Sequence, residues 1–136
     1  MTQATIMYLL GNNGDRIPYV VANASAIAKG DFLELADNRV VTAHAGNVDT
    51  PIVGIAAHEK VANDGHTTIT AITNCVFKAT VLAGGSATIG DEVSMGNASG
   101  EINLAATLDG EKGWAIGRAE QTAAAGETVV IRSKFN

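Results

Sequence analysis

Ile89-Gly90-Asp91-Glu92-Val93-Ser94-Met95 restates Lys29-Gly30-Asp31-Phe32-Leu33-Glu34-Leu35. Each stretch places a Gly-Asp pair, the chemistry of a tight turn, directly before a short alternating run that reads as a strand. The echo continues. Val53-Gly54-Ile55-Ala56 is answered by Ile116-Gly117-Arg118-Ala119, and Gly65-His66-Thr67-Thr68-Ile69 by Gly126-Glu127-Thr128-Val129-Val130. The spacing stays between 60 and 63 residues and the landmarks keep their order, so one strand pattern is read as used twice. Two copies of so long a period do not make a solenoid. They predict a single β domain over 26–136 with similar halves at about 29–72 and 89–133.

Composition agrees with β structure. Hydrophobic residues make up 46% of the 136-residue chain but aromatic residues only 4%, so the core must be built from Ala, Val, Ile and Leu. Fifteen glycines against two prolines mark many tight turns. About nine or ten short strands, with turn signals every 8 to 12 residues or so, predict an all-β sandwich or barrel. The expected strands are Phe32 to Leu35, Arg39 to Thr42, Pro51 to Ala57, His66 to Ile72, Val76 to Leu82, Glu92 to Met95, Glu101 to Leu104, Trp114 to Glu120 and Glu127 to Ser133. The alanine-rich stretches Ala83 to Thr88 and Gln121 to Ala125 read as loops. Gly30, Asp31, Gly54, Gly90, Asp91 and Gly117 are assigned to structural turns, Gly54 and Gly117 within strand-like runs, where glycine marks either a bulge or close packing by another backbone.

Residues 1–25 differ in character from the rest of the chain. Ile6 to Leu10, the turn-forming Gly11-Asn12-Asn13-Gly14-Asp15 and Ile17 to Val21 read as an N-terminal arm or edge hairpin, with Pro18 unable to donate to a central ladder. Both tyrosines lie here. Ile6, Tyr8, Leu9, Leu10, Ile17 and Tyr19 are therefore candidate contacts with another chain, whether a partner or a neighbouring protomer.

The charge of −5 and the absence of any Lys/Arg cluster argue against a nucleic-acid ligand. No apolar run approaches the roughly 20 residues of a membrane span. The start lacks a basic region and a long apolar run, which predicts synthesis and use in a cytoplasm, or assembly there. Chemistry is sparse. His44, His58 and His66 are spaced 14 and 8 residues apart, which fits no short metal-ligand motif. Cys75 sits in an apolar run and reads as a buried small hydrophobe, and Trp114 as an apolar anchor at a strand head. Neither Gly84-Gly85-Ser86 nor Gly11-Asn12-Asn13-Gly14 ends in the Lys-Ser/Thr of a phosphate loop, and Asn23 and Asn97 match a glycosylation sequon without a secretory signal. The expectation is no catalytic residue, no metal, no cofactor and no enzyme activity.

The chain resembles the bacteriophage capsid cement, or head decoration, proteins. Lys29-Gly30-Asp31-Phe32-Leu33, Val53-Gly54-Ile55-Ala56, Ile89-Gly90-Asp91-Glu92-Val93, Ala115-Ile116-Gly117-Arg118-Ala119 and Gly126-Glu127-Thr128-Val129-Val130-Ile131-Arg132 carry the likeness, which covers about Ala28 to Phe135. The resemblance implies a structural virion protein assembled in the host cytoplasm, bound to the major capsid protein on the outside of an icosahedral head and stabilising it. It also implies a homo-oligomer, with a trimer favoured. The alternatives are a carbohydrate- or receptor-binding β module of a phage tail or fibre, which the scarcity of aromatics disfavours, and a small metal hydrolase built on the three histidines.

Overall fold

A computed structural model describes residues 3–12, 14–46, 50–104 and 115–135. Among these the chain is all-β, with thirteen strands and no helix. Strand β7 (Cys75–Val81) shows the rule that builds them: Cys75, Phe77, Ala79 and Val81 point inward, while Val76, Lys78 and Thr80 alternate outward. Strand β5 (Ile52–Ala56) is buried at every position because both of its faces are covered.

The strands close into two barrels of one topology. The first has the order β2 (Arg16–Val20), β4 (Val40–Ala43), β3 (Phe32–Asp37), β5 and β6 (Thr68–Ile72). The second runs β7, β10 (Glu101–Leu104), β9 (Glu92–Met95), β11 (Gly117–Ala119) and β13 (Thr128–Ser133), and closes through β7 and β13. Register repeats as well as order. Leu33 faces Gly54 as Val93 faces Gly117, Ile55 faces Ile72 as Arg118 faces Arg132, and Val20 faces Thr68 as Thr80 faces Thr128. The Gly-Asp turns repeat their bonds. Gly30 N–H donates to Ala56 O (3.0 Å) and Ala56 N–H to Asp31 O (2.8 Å), as Gly90 does to Ala119 (2.8 Å) and Ala119 to Asp91 (2.9 Å).

Three features depart from the expectations drawn from sequence. Each repeat begins one strand early, so a boundary after residue 25 cuts β2 from the barrel it opens. The N-terminal strands do not form a hairpin with each other: β1 (Thr5–Leu9) is added to the edge of β7, whereas β2 pairs with β6. Two apolar runs around a turn look alike in sequence whether the runs pair or part. The turn itself is clamped where β6 passes into β7, with Leu10 N–H donating to Asn74 O (3.0 Å) and Asn74 N–H to Gly14 O (3.1 Å). Finally, the two alanine-rich stretches read as loops hold the short strands β8 (Ser86–Ala87) and β12 (Ala123–Ala124), which pair with each other. Their counterpart in the first barrel is the bridge between Ile27 and Lys60. So short a pair leaves no periodicity to read. Trp114 lies outside the described residues.

Pro18 sits on the part of β2 that pairs only with β6, because β2 meets β4 at Val20 alone. Arg39 covers that edge, donating from its guanidinium to Pro18 O (2.7 Å) and lying 4.8 Å from the centre of the Tyr19 ring.

Val21, Ile27, Leu33, Val41, Val53 and Ile69 fill the first barrel. The second core, around Phe77, Val81, Val93, Ile102 and Ile131, continues onto the outside of the first barrel through Phe32, Ile52, Ile55 and Ile72. Phe32 meets Phe77 edge to face at 5.7 Å. His44, 1% exposed, adds a polar tie: its Nδ1 accepts from Gly100 N–H (3.0 Å) and its carbonyl from Ser99 Oγ (2.8 Å).

Gly54 and Gly117 hold equivalent places against a neighbouring backbone. A methyl on Gly54 would lie 2.8 Å from Ile72 O and 3.0 Å from Ala71 Cβ, and one on Gly117 would run into Arg132 O and Ile131 Cγ2. Each Gly→Ala change is expected to cost about 1–3 kcal/mol of overpacking, more at Gly117 than at Gly54. Urea midpoints would show it, and unchanged midpoints would contradict the close approach.

Candidate interaction surface

β1 supplies an apolar strip. Ile6 packs on the main core and Leu10 is half-buried, but Met7, Tyr8 and Leu9 are all exposed, Tyr8 at 62%. Consecutive exposure is unusual for a strand, whose side chains normally alternate between faces. Two features produce it here: β1 lies outside the closed barrel, and its register with β7 slips at Met7, which leaves Met7 unpaired. Among the described residues the far edge of β1 has no ladder partner.

Ile17 and Tyr19 belong to a different feature, the mouth of the first barrel. Their counterparts in the second barrel are Phe77 and Ala79, both fully buried. The smaller Ile17 does not plug the mouth as Phe77 does, and a cleft of about 400 Å³ opens beside it. Val53, Thr73, Lys134 and Phe135 line the same cleft. Asp15 holds its rim, accepting from Asn74 Nδ2 at Oδ2 (2.9 Å) and from Thr73 Oγ1 at its carbonyl (2.7 Å). Tyr19 is half-buried against the first core beneath Arg39. The six residues singled out from sequence thus fall on two neighbouring features rather than one arm. Val53, Thr73 and Phe135 were missed because they reach the cleft from β5, the β6–β7 connection and the segment after β13, all distant from Ile17 in the chain, and the size difference between Ile17 and Phe77 was the one signal of an open mouth.

The paired aspartates are used unequally. Asp31 is buried at 2% exposure, with Oδ2 accepting from Ala28 N–H and Oδ1 from Gln3 Nε2, both at 2.9 Å, whereas Asp91 is exposed. The three histidines lie apart: His44 is buried between the barrels, His58 is exposed beside Thr70, and His66 is exposed 3.4 Å from Asp64. Among the described residues no three His, Cys, Asp or Glu side chains group as metal ligands. Cys75 is fully buried, and burial pushes its thiol up to about 11 against a weaker pull from the Ser133 hydroxyl.

No family model matches the chain, and no curated protein sequence matches it. A solved structure does. The N base of the head fiber protein gp8.5 of bacteriophage phi29 has a similar fold. The identity is 15% and the TM-score 0.52, over 89% of this chain and 94% of that one. Neither barrel alone supplies that share, so the likeness takes in strands of both.

Proposed function

We propose that this chain is a structural protein of a bacteriophage virion, seated on the outer surface of the icosahedral head and bound to the major capsid protein. The observation that carries the reading is the fold likeness to a phage head fiber base, which extends over nearly the whole of both chains. The chain works by adhesion, without catalysis. Several copies held together grip several capsid subunits at once, so modest single contacts multiply into firm attachment. The exposed strip of Met7, Tyr8 and Leu9 on an open strand edge serves as the contact between protomers of a homo-oligomer, with a trimer favoured.

The test is co-sedimentation of the purified protein with heads that lack it. Saturable binding at a fixed copy number per head is expected, and no binding at any concentration overturns the reading. A decoration role further requires that bound heads resist heat or osmotic rupture better than bare ones. A fibre base requires only the attachment.

Placing charge on the strip tests the oligomer. Tyr8→Glu with Leu9→Glu is expected to weaken self-association at least about tenfold, a loss of about 1.4 kcal/mol, while the circular dichroism spectrum stays unchanged. Light scattering at two concentrations reads this directly. A wild-type protein that is monomeric throughout would refute the contact.

A further inference from the structure

Equivalent positions on the two barrels carry opposite chemistry. On the first, Phe32, Ile55 and Ile72 form one cross-strand row, and that row is buried against the second barrel. On the second, the same row reads Glu92, Arg118 and Arg132. There it is uncovered: Arg118 and Arg132 are exposed, and with Glu92, Glu120 and Lys134 they line a cleft of about 370 Å³. The charges are poorly matched among themselves. Arg118 and Arg132 stand directly opposite each other, a placement that repels. Lys134 Nζ takes Glu92, at 3.1 Å, and among the described residues neither guanidinium forms an ion pair.

We propose that this face is the docking surface for carboxylates on the head shell protein, with Arg118 and Arg132 gripping them through paired N–H bonds. The opposed arginines repel in the free protein and would be relieved by an anionic partner. Glu92 and Glu120 within the patch, on a chain of net charge −5, disfavour a phosphate backbone as that partner. An apolar surface, such as the one the sister row meets, would strip water from the charges without pairing them. The shell as partner rests on the function proposed above. The charged row itself does not.

The experiment compares wild type, Arg118→Gln/Arg132→Gln, and a control of equal charge change on the first barrel, Arg16→Gln/Lys29→Gln, for binding to heads that lack the protein. Glutamine removes the charge without opposing two carboxylates to Glu92, and folding is checked by the melting temperature. Loss of at least about tenfold in affinity in the first variant, with the control within about twofold of wild type, is expected. Wild-type binding should also weaken steeply with salt. Equal binding by all three proteins overturns the docking face while leaving the head-binding function intact. Failure of the wild type to bind overturns that function and, with it, the shell as the partner.

Discussion

Phe77→Ala is expected to lower stability by about 3–5 kcal/mol, the usual cost of emptying a large aromatic site in a core. The site is fully buried and has little freedom to collapse. Its ring meets Phe32 at 5.7 Å and stacks on Phe135 at 6.1 Å, while its backbone is in register with Ile131 on one side and Ile6 on the other. These partners come from three separate parts of the chain, β1, β3 and the C-terminal segment from Ile131 to Phe135, so no single loop can move in to fill the void. Domains of this size have about 5–15 kcal/mol in all, so the variant should be marginal at room temperature. Because Phe32 belongs to the first barrel, the loss also loosens the seam between barrels. Urea unfolding followed by circular dichroism would measure it, and a loss under about 1 kcal/mol would mean that the two cores do not meet through this ring.

Lys60→Met is expected to cost about 1.5–3 kcal/mol, the range for losing the hydrogen bonds of a charged group. Lys60 is 3% exposed, and its Nζ lies within hydrogen-bond distance of the carbonyls of Asn23 (2.8 Å), Ser25 (3.2 Å) and Val61 (3.1 Å) and of Asp64 Oδ1 (3.1 Å). Methionine keeps the stem but donates nothing, so the carbonyls of Ser25 and Val61 lose this donor outright, while Asn23 O keeps the Asn63 N–H (2.7 Å) and Asp64 Oδ1 the His66 N–H (2.9 Å). The network also sets an acid limit. The His66 N–H, then Lys60 and the Val61 N–H, hold the Asp64 carboxyl down at about 2 from an ordinary 3.8, against partial desolvation. Its folded value is depressed, so its contribution is fully present above about pH 4 and is lost as pH falls toward 2. Asp64→Asn should flatten stability against pH in that window, and an unaltered profile would place the acid response elsewhere.

The β class, most strands and the sixty-residue echo were legible because they are written locally. Gly-Asp turns, alternating runs such as Thr68 to Ile72 and glycine within Val53-Gly54-Ile55-Ala56 each act over a few residues. The site was half legible. Tyr8 and Leu9 showed as apolar residues in an unusual segment, but whether they face solvent depends on β1 leaving β2 to join β7. Nothing in the residues beside Lys60 marks it for burial, and only the loops around Asn23 and Asp64 enclose it.

Local periodicity therefore determined that this chain forms β-strands and that one pattern occurs twice. Tertiary structure decided that each copy closes into its own five-stranded barrel, and that the row Phe32, Ile55 and Ile72 becomes a seam while Glu92, Arg118 and Arg132 stays open. The reason is physical: a strand's inward and outward faces follow from neighbouring residues, but what covers the outward face depends on segments dozens of residues away, whose meeting leaves no periodic trace.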